Sequence, residues 1–458
     1  MPRAAIHQLV VTNILEVHEL DDLPDEDRRL WADDYRHFSG KALYWPEPGR
    51  VTFLSHWPLD ELAATLPESA LLDQTRDFVR VAMASDSLCA DVLADPIALE
   101  RLIARFEAGA TIELLAWAAS PALARLAAAL RERGFTVSPS PERLARSAEV
   151  EHRLRARQPM IELLESLPEV ARLRPTTVSL ADWSAVREFL AGRELGNGWV
   201  IKGCDSVAGC GVMMIDHETE RARVLASERP SRSLAEAGFY LLMKPPYVVE
   251  ELVGERSSNL SPTLDMYVDE ASIRFVGVGW QVLERKAGYV GIVSGPRLIV
   301  PLEVMTAANA IAEALRARGY VGYFNIDFLV TLADEWSIME INVRRSSPID
   351  HFHTLARRPP LAPDSLVVSL DYSSPACAER WLAAAAAPDS GVVAARRLGD
   401  RVSRARWVGL MLHADSAGAL ARTLERAEHD GDDDLRELLA CLLARDQLTP
   451  PTRRAATR

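Results

Sequence analysis

The sequence predicts a multidomain chain of mixed α/β and α+β class, on three observations. Over residues 1–145 short β-rich runs alternate with helical periods, the pattern of a doubly wound, partly parallel sheet. After a helix-rich stretch, about the next hundred residues turn mainly to strands, with one long amphipathic helix between them and a hairpin. After about residue 370 the texture changes again, to strand, strand and helix beyond a Pro/Gly-containing linker. A length of 458 residues agrees, being too great for one ordinary core.

In the first segment "HQLVVTN", "RVTFLS" and "TIELLAW" are strands, rich in β-branched and aliphatic residues. "DPIALERLIARF" and "SPALARLAAALRERG" are helices between them. The latter has Ser120 and Pro121 at its start and Gly134 at its stop, where caps belong. No GxGxxG follows any of these strands, which argues against a dinucleotide site. A helix-rich stretch, "AEVEHRLRARQPMIELLESLPEVARL" and "SLADWSAVREFLAG", comes next. The strands "GWVIKGC", "GVMMID", "YVVEELV", "TLDMYVD" and "ASIRFVGVGWQVL" follow. In "PLEVMTAANAIAEALRARG" Val304, Ala308, Ile311 and Leu315 share one helical face, and Gly319 ends it. The apolar runs of "GYVGYFNIDFLVTLADEWSIMEINVRRSS" make a hairpin. "VVAARRLGD", "RWVGLMLHAD" and "SAGALARTLERAEHD" form a small C-terminal α/β unit, and "TPPTRRAATR" reads as a disordered tail.

A net charge of -13 argues against wholesale nucleic-acid binding, which needs a basic surface. The cysteines Cys89, Cys204, Cys210, Cys377 and Cys441 show neither a CxxC pair nor a zinc spacing, and no disulfide framework is read from them. The N-terminus is charged too early for a signal peptide, and no apolar run is long enough for a membrane span. A cytoplasmic protein is expected. Lysine occurs only at Lys41, Lys202, Lys244 and Lys286, and three of these four fall between residues 200 and 290. Either chance clusters them, or that region needs a compact ammonium that a guanidinium fork does not replace.

"GNGWVIKGCDSVAGCGVMMID" sets Lys202 at a strand end ahead of Gly203, Gly209 and Gly211. Such a loop lets backbone N–H groups approach phosphate oxygens beside a point charge, although a plain glycine-rich hairpin reads the same way. GxxxxGK[ST] is absent, as are an HRD loop and the glycine of DFG, so P-loop and protein-kinase readings fail. "YVVEELVGE" ends a strand on Glu250 and Glu251, whose backbone and carboxylates could meet a base edge or ribose or simply exit to solvent. In the hairpin, a turn centred on Ala333 and Asp334 places Asp327 opposite Glu340. Cross-strand Cβ atoms stand roughly 4.5–5.5 Å apart, so the two acids repel unless a divalent cation lies between them. Asn342 points to the same face. Two carboxylates and an amide are hard oxygen donors that suit Mg²⁺, and Arg344 and Arg345 follow as partners for an anion. An exposed charged hairpin fits poorly, because Ile326, Phe328, Ile338 and Ile341 flank the acids.

In this order and spacing the segments from about 145 to 350 resemble the ATP-grasp superfamily. The resemblance implies a two-lobed ATP-grasp fold that uses ATP and Mg²⁺. Lys202 would contact nucleotide phosphates, and Gly209 and Gly211 would lie in the small lid loop. Glu250, Glu251, Leu252 and Val253 would form the adenine hinge. Asp327, Glu340 and Asn342 would hold Mg²⁺, and Arg344 would face the reacting carboxylate. "QVLERKAGYVGIVSGPRL" falls at the superfamily's larger flexible loop, from which Lys286 or Arg297 would reach the γ-phosphate or acyl phosphate. Two departures stand out. The second phosphate lysine has only Arg153, Arg155 and Arg157 in its place, with Arg155 assigned to ATP, and the ribose acid meets Ser257 and Ser258, with Glu255 nearest.

"GRVTFLSHWPLDE", "LADPIALERLIARF" and "SPTLDMYV" are similar to the ligases with a pre-ATP-grasp domain, the group of the pheganomycin-type peptide ligase. That resemblance implies a pre-ATP-grasp domain over 1–145, an ATP-grasp domain over 146–370, a small C-terminal domain over 371–446 and a tail over 447–458. It implies ATP-dependent joining of a carboxylate to an amine through an acyl phosphate, with amino acids or small peptides as substrates in specialised metabolism. Neither nucleic acid nor membrane is an expected partner, and a homodimer is left open. A kinase of this fold, a thioester- or ester-forming ligase and a non-catalytic ATP-binding protein remain alternatives.

Overall fold

The computed structural model describes residues 6–17, 39, 42, 45–47, 49–57, 75–204, 212–230, 243–254, 260–284, 288–295, 300–331, 333–346, 366–373, 380, 383, 392–401, 407–414 and 419. The predicted strands of the first segment run parallel. β1 (Ile6–Val11), β2 (Arg50–Ser55), β3 (Thr75–Arg80), β4 (Thr111–Ala116) and β5 (Thr136–Ser138) form one sheet in the order β3-β2-β1-β4-β5. The order reverses beside β1, so β1 and β4 flank the topological switch point, as in doubly wound folds. The helix Pro121–Glu132 starts where predicted, with the Ser120 hydroxyl accepting from the Leu123 N–H at 2.9 Å. Gly134 follows its end at φ +89°, a left-handed conformation that an L side chain resists. Leu9, Leu54, Ile112, Leu126 and Leu130 close this core.

The helix Pro141–Arg155 crosses the expected boundary at 145/146. Leu144 packs in the N-terminal core, whereas Val150 and Leu154 join the core under the largest sheet. The helical stretch then breaks into Arg157–Glu165 and Pro168–Ala171. A four-stranded sheet follows, β6 (Thr177–Leu180), β7 (Trp199–Lys202), β8 (Val212–Ile215) and β9 (Tyr247–Glu251), in the order β6-β9-β7-β8.

The third sheet has eight strands in the order β14-β13-β10-β11-β12-β15-β17-β16. They are β10 (Pro262–Val268), β11 (Ile273–Glu284), β12 (Gly288–Ser294), β13 (Gly322–Val330), β14 (Trp336–Asn342), β15 (Leu366–Ser373), β16 (Val392–Arg401) and β17 (Trp407–Ala414). The helix Leu302–Ala317 packs on this sheet by the predicted stripe, with Val304, Ala308, Ile311 and Leu315 fully buried. Gly288–Ser294 lies within the stretch expected as a flexible loop, yet it is a strand paired to both β11 and β15. Its run of Tyr, Val and Ile explains this. The two strands expected beyond residue 370 form as β16 and β17, and β15 joins them to the large sheet. The helix expected after them and the tail 447–458 lie outside the described residues. Among the described residues no helix is long and apolar enough to cross a membrane.

Candidate functional site

The β13–β14 hairpin sets the site, and its register has two parts. Near the turn Val330 faces Trp336 and Phe328 faces Ile338, so the turn centres on Ala333 alone, not on Ala333 and Asp334. Asp334 takes φ +62° there, which a short polar side chain tolerates, and its N–H donates to Thr331 O at 3.0 Å. Continued unbroken, that register would put Met339 across from Asp327. A β-bulge between Asp327 and Phe328 restores the expected opposition, and Asp327 faces Glu340. It also lets Ile338 and Ile341, an odd number of residues apart, both turn to the core. The Met339 carbonyl, at the irregular position, accepts from Lys202 Nζ at 2.9 Å.

Asp327 is enclosed by donors. Gln281 Nε2 and Asn325 Nδ2 donate to Oδ1 at 2.8 and 2.9 Å, and Asn342 Nδ2 donates to Oδ2 at 3.2 Å. Burial, and secondarily the Glu340 charge across the ladder, push its pKa up to about 7. The sequence-predicted set of Asp327, Glu340 and Asn342 is thus brought together, and Arg344 joins it by donating to Asn342 Oδ1 at 3.2 Å. The described residues hold no group of three or more His, Cys, Asp or Glu side chains able to ligate a metal. A cation at this carboxylate pair would complete its shell from amide, ligand and water oxygens, a habit of Mg²⁺. The residues fit such an ion, because Asp327 carries a charge penalty that a cation would relieve.

Lys202 reaches the same place from the small sheet. On β7 it pairs with Val248, so Glu250 is its diagonal neighbour on one face of β9. Its ammonium lies 2.5 Å from Glu250 Oε2, with both side chains nearly buried. One lysine therefore ties the small sheet to β14 of the large one. Glu251 is exposed, and its N–H donates to Thr176 O at 2.9 Å, while Leu252 N–H donates to Gly198 O at 3.0 Å. Gly198 sits at φ +122°, and a Cβ there would come 2.5 Å from Ile215 O, so this approach requires glycine. The Glu250–Val253 segment is thereby held along the edge of the cleft.

Arg157, which the sequence reading did not select, lies between the two sheets. Its Nε donates to Gly203 O at 2.9 Å, and its guanidinium stands 3.6 Å from Glu340. Arg155 instead pairs with the buried Glu151 at 3.2 Å, although it also lines the cleft. Burial pushes Glu151 up to about 7 despite the nearby Arg155 and Arg344 charges. Pro159 was the available signal: proline is tolerated only in a helix's first turn, so the helix had to restart near Arg157 and re-aim it. The cleft encloses about 560 Å³ with its mouth, between Met160, Ile161, Val248 and Ile338 on the apolar side and Arg157, Glu250 and Glu340 on the polar side. Arg345 does not join it. The residue is 3% exposed and turned toward the N-terminal sheet, where Nε donates to Ala116 O at 2.8 Å while Trp45 and Tyr323 of β13 cover its guanidinium. Gly209, Gly211, Lys286 and Arg297, like Glu255, Ser257 and Ser258, lie outside the described residues.

No protein-family model matches the chain, and no curated protein matches its sequence. Solved structures share its fold. N5-carboxyaminoimidazole synthetase from Staphylococcus aureus complexed with ADP superposes with a TM-score of 0.53 at 12% identity, over 93% of this chain and 97% of that one. An ADP complex of N5-carboxyaminoimidazole ribonucleotide synthetase gives 0.50 at 12% identity, over 98% and 100%. The chain has the ATP-grasp architecture, an N-terminal α/β portion ahead of the two lobes that enclose the cleft.

Proposed function

We propose that this chain is an ADP-forming, ATP-dependent ligase that joins a carboxylic acid to an amine. The observation that carries the reading is the convergence on one hairpin, β13–β14, of the opposed acids Asp327 and Glu340 and of Lys202 from the other sheet. A carboxylate pair alone is an unfavourable arrangement. Beside a buried lysine and two arginines it becomes a place for a polyanion and its counter-cation. The fold neighbours crystallised with ADP support a nucleotide as that polyanion.

On this reading Asp327, Glu340 and Asn342 hold Mg²⁺, which when bound neutralises phosphate charge. Lys202 and Arg157 orient the phosphates, with Arg157 in the role expected of Arg155. Glu250 to Val253 line the base side of the cleft, and by the ATP-grasp resemblance Gly209 and Gly211 contribute to phosphate binding while Lys286 or Arg297 contacts the γ-phosphate or acyl phosphate. The acid's oxygen attacks the γ-phosphorus, ADP leaves, and the acyl phosphate that results meets Arg344. An amine then attacks the acyl carbon, loses its proton, and phosphate leaves with the C–O bond electrons. The protein's work is positioning and charge stabilisation in a site closed to water.

The acid and amine are read as amino acids or short peptides, by the likeness to the peptide ligases with a pre-ATP-grasp domain. The domain limits 1–145, 146–370 and 371–446 belong to the same reading, as does a role in specialised metabolism in the cytoplasm. The test is ADP release and product mass spectrometry with Mg-ATP and a mixed pool of amino acids and dipeptides. Amine-dependent ADP with a product lighter by one water than its two substrates is expected. ADP release that no amine alters, with a phosphorylated product, would replace the ligase with a kinase.

A further inference from the structure

Three consecutive residues leave β14, and each is fastened to a different part of the molecule. Arg344 donates to Asn342 Oδ1 and, through its other terminal nitrogen, to Arg345 O, both at 3.2 Å. The Arg345 N–H donates to Trp117 O at 2.9 Å, and its Nε donates to Ala116 O at 2.8 Å, at the carboxyl end of β4. The Ser346 hydroxyl donates to Asp265, a fully buried acid of β10. The Arg345 guanidinium carbon stands 3.9 Å from the ring centroid of Tyr323 on β13 and 4.3 Å from that of Trp45. Trp45 and Trp117 themselves meet edge to face at 5.0 Å, so the slot is built largely from the N-terminal portion.

We propose that Arg345 is a positioning residue, which clamps the exit of β14 to the switch strand of the N-terminal sheet and thereby holds Arg344 at the acid pair. Only the chemistry assigned to Arg344 rests on the ligase reading. A planar guanidinium offers two faces to aromatic rings while its edge still donates in plane, and a lysine ammonium cannot do both. Burying such a cation is costly, and these contacts offset that cost only while both portions stay docked. The placement of Arg344 consequently depends on how the N-terminal sheet sits against β13 and β14. A reacting group displaced by about 1 Å loses on the order of a hundredfold in rate, so the clamp should be visible in turnover.

The test uses the full-length protein and its Arg345→Ala and Arg345→Lys variants, with hydrogen exchange read by mass spectrometry. Faster exchange is expected in the peptide spanning residues 343–347 in both variants, with β13 still protected. A few millimolar guanidinium ion should refill the slot and restore protection in Arg345→Ala. With an active substrate pair, kcat should fall at least tenfold with the KM for Mg-ATP changed less than about twofold, and guanidinium should recover it. Unchanged exchange at 343–347 overturns the proposal, as does full kcat with loosened exchange, or a KM for Mg-ATP that rises in step with the loss. The expected exchange result in a protein without amine-dependent turnover leaves the clamp standing and removes the ligase reading. Where Arg345→Ala does not fold, Trp45→Leu removes one face of the slot with the guanidinium retained, and the same exchange pattern is expected, smaller.

Discussion

Neutralising Asp327 should stabilise the metal-free protein progressively as pH rises from about 4 to about 7, with the full gain above that. Its pKa rises from the usual 3.8 to about 7, chiefly through burial and then through Glu340. Because the folded value is above the unfolded one, this group's contribution is fully present below about pH 4 and is lost as pH rises through about 7. The interval is about 3 pH units at 1.36 kcal/mol each, so the ionised carboxylate costs at most about 4 kcal/mol. Asn in its place keeps an acceptor for Gln281 and Asn325 and removes the charge. Urea unfolding in chelator from about pH 5 to pH 8 should show the difference between Asp327→Asn and wild type growing by about 1–3 kcal/mol in favour of the variant. Other titrating groups, Glu151 among them, are common to both proteins and cancel. Mg²⁺ should stabilise wild type at about pH 8, less at about pH 5 where protons compete, and leave the variant nearly unaffected. Parallel pH profiles, or equal stabilisation of both proteins by Mg²⁺, would refute the account of an acid pair poised for a cation.

Glu340→Gln should lower Mg-dependent ADP release by more than about a hundredfold with circular dichroism unchanged; retained turnover removes the metal assignment. Arg157→Ala should weaken Mg-ATP binding by about tenfold, near 1.4 kcal/mol, and Arg155→Ala by much less, which calorimetry on the two variants compares directly. Lys202→Met leaves Glu250 buried without its cation and should cost about 3–5 kcal/mol of stability. Adding Glu250→Gln should recover much of that loss in chemical denaturation; no recovery would mean the pair is not coupled.

How far the sequence reached varies with the range of the interaction. The parallel sheet, the helix Leu302–Ala317 and the hairpin were legible because their signals are local: alternation, a 3.6-residue stripe and capping residues. The opposition of Asp327 and Glu340 was read correctly from a slightly wrong turn, because the bulge that corrects the register leaves little trace in a run of apolar residues. The strand Gly288–Ser294 carries a short β-rich signal of its own, in the place where the resemblance implies a flexible loop.

Which cation does what was beyond the sequence. Arg155, Arg157, Arg344 and Arg345 lie in two short runs, and the four side chains go to Glu151, to Gly203 and Glu340, to Asn342, and to Ala116 between two aromatic rings. Local pattern tells that arginines are present and that a helix restarts near Pro159. Their partners come from elements as much as 229 residues away, and burial decides which guanidinium meets a carboxylate and which a backbone carbonyl. By itself the sequence determined the opposition of Asp327 and Glu340 and the placing of Lys202 at a strand end, since period and spacing suffice for those. Only the packing of three sheets decided that Lys202 reaches β14, that Arg157 spans the cleft and that Arg345 faces away from it, because those contacts exist only once distant surfaces exclude water together.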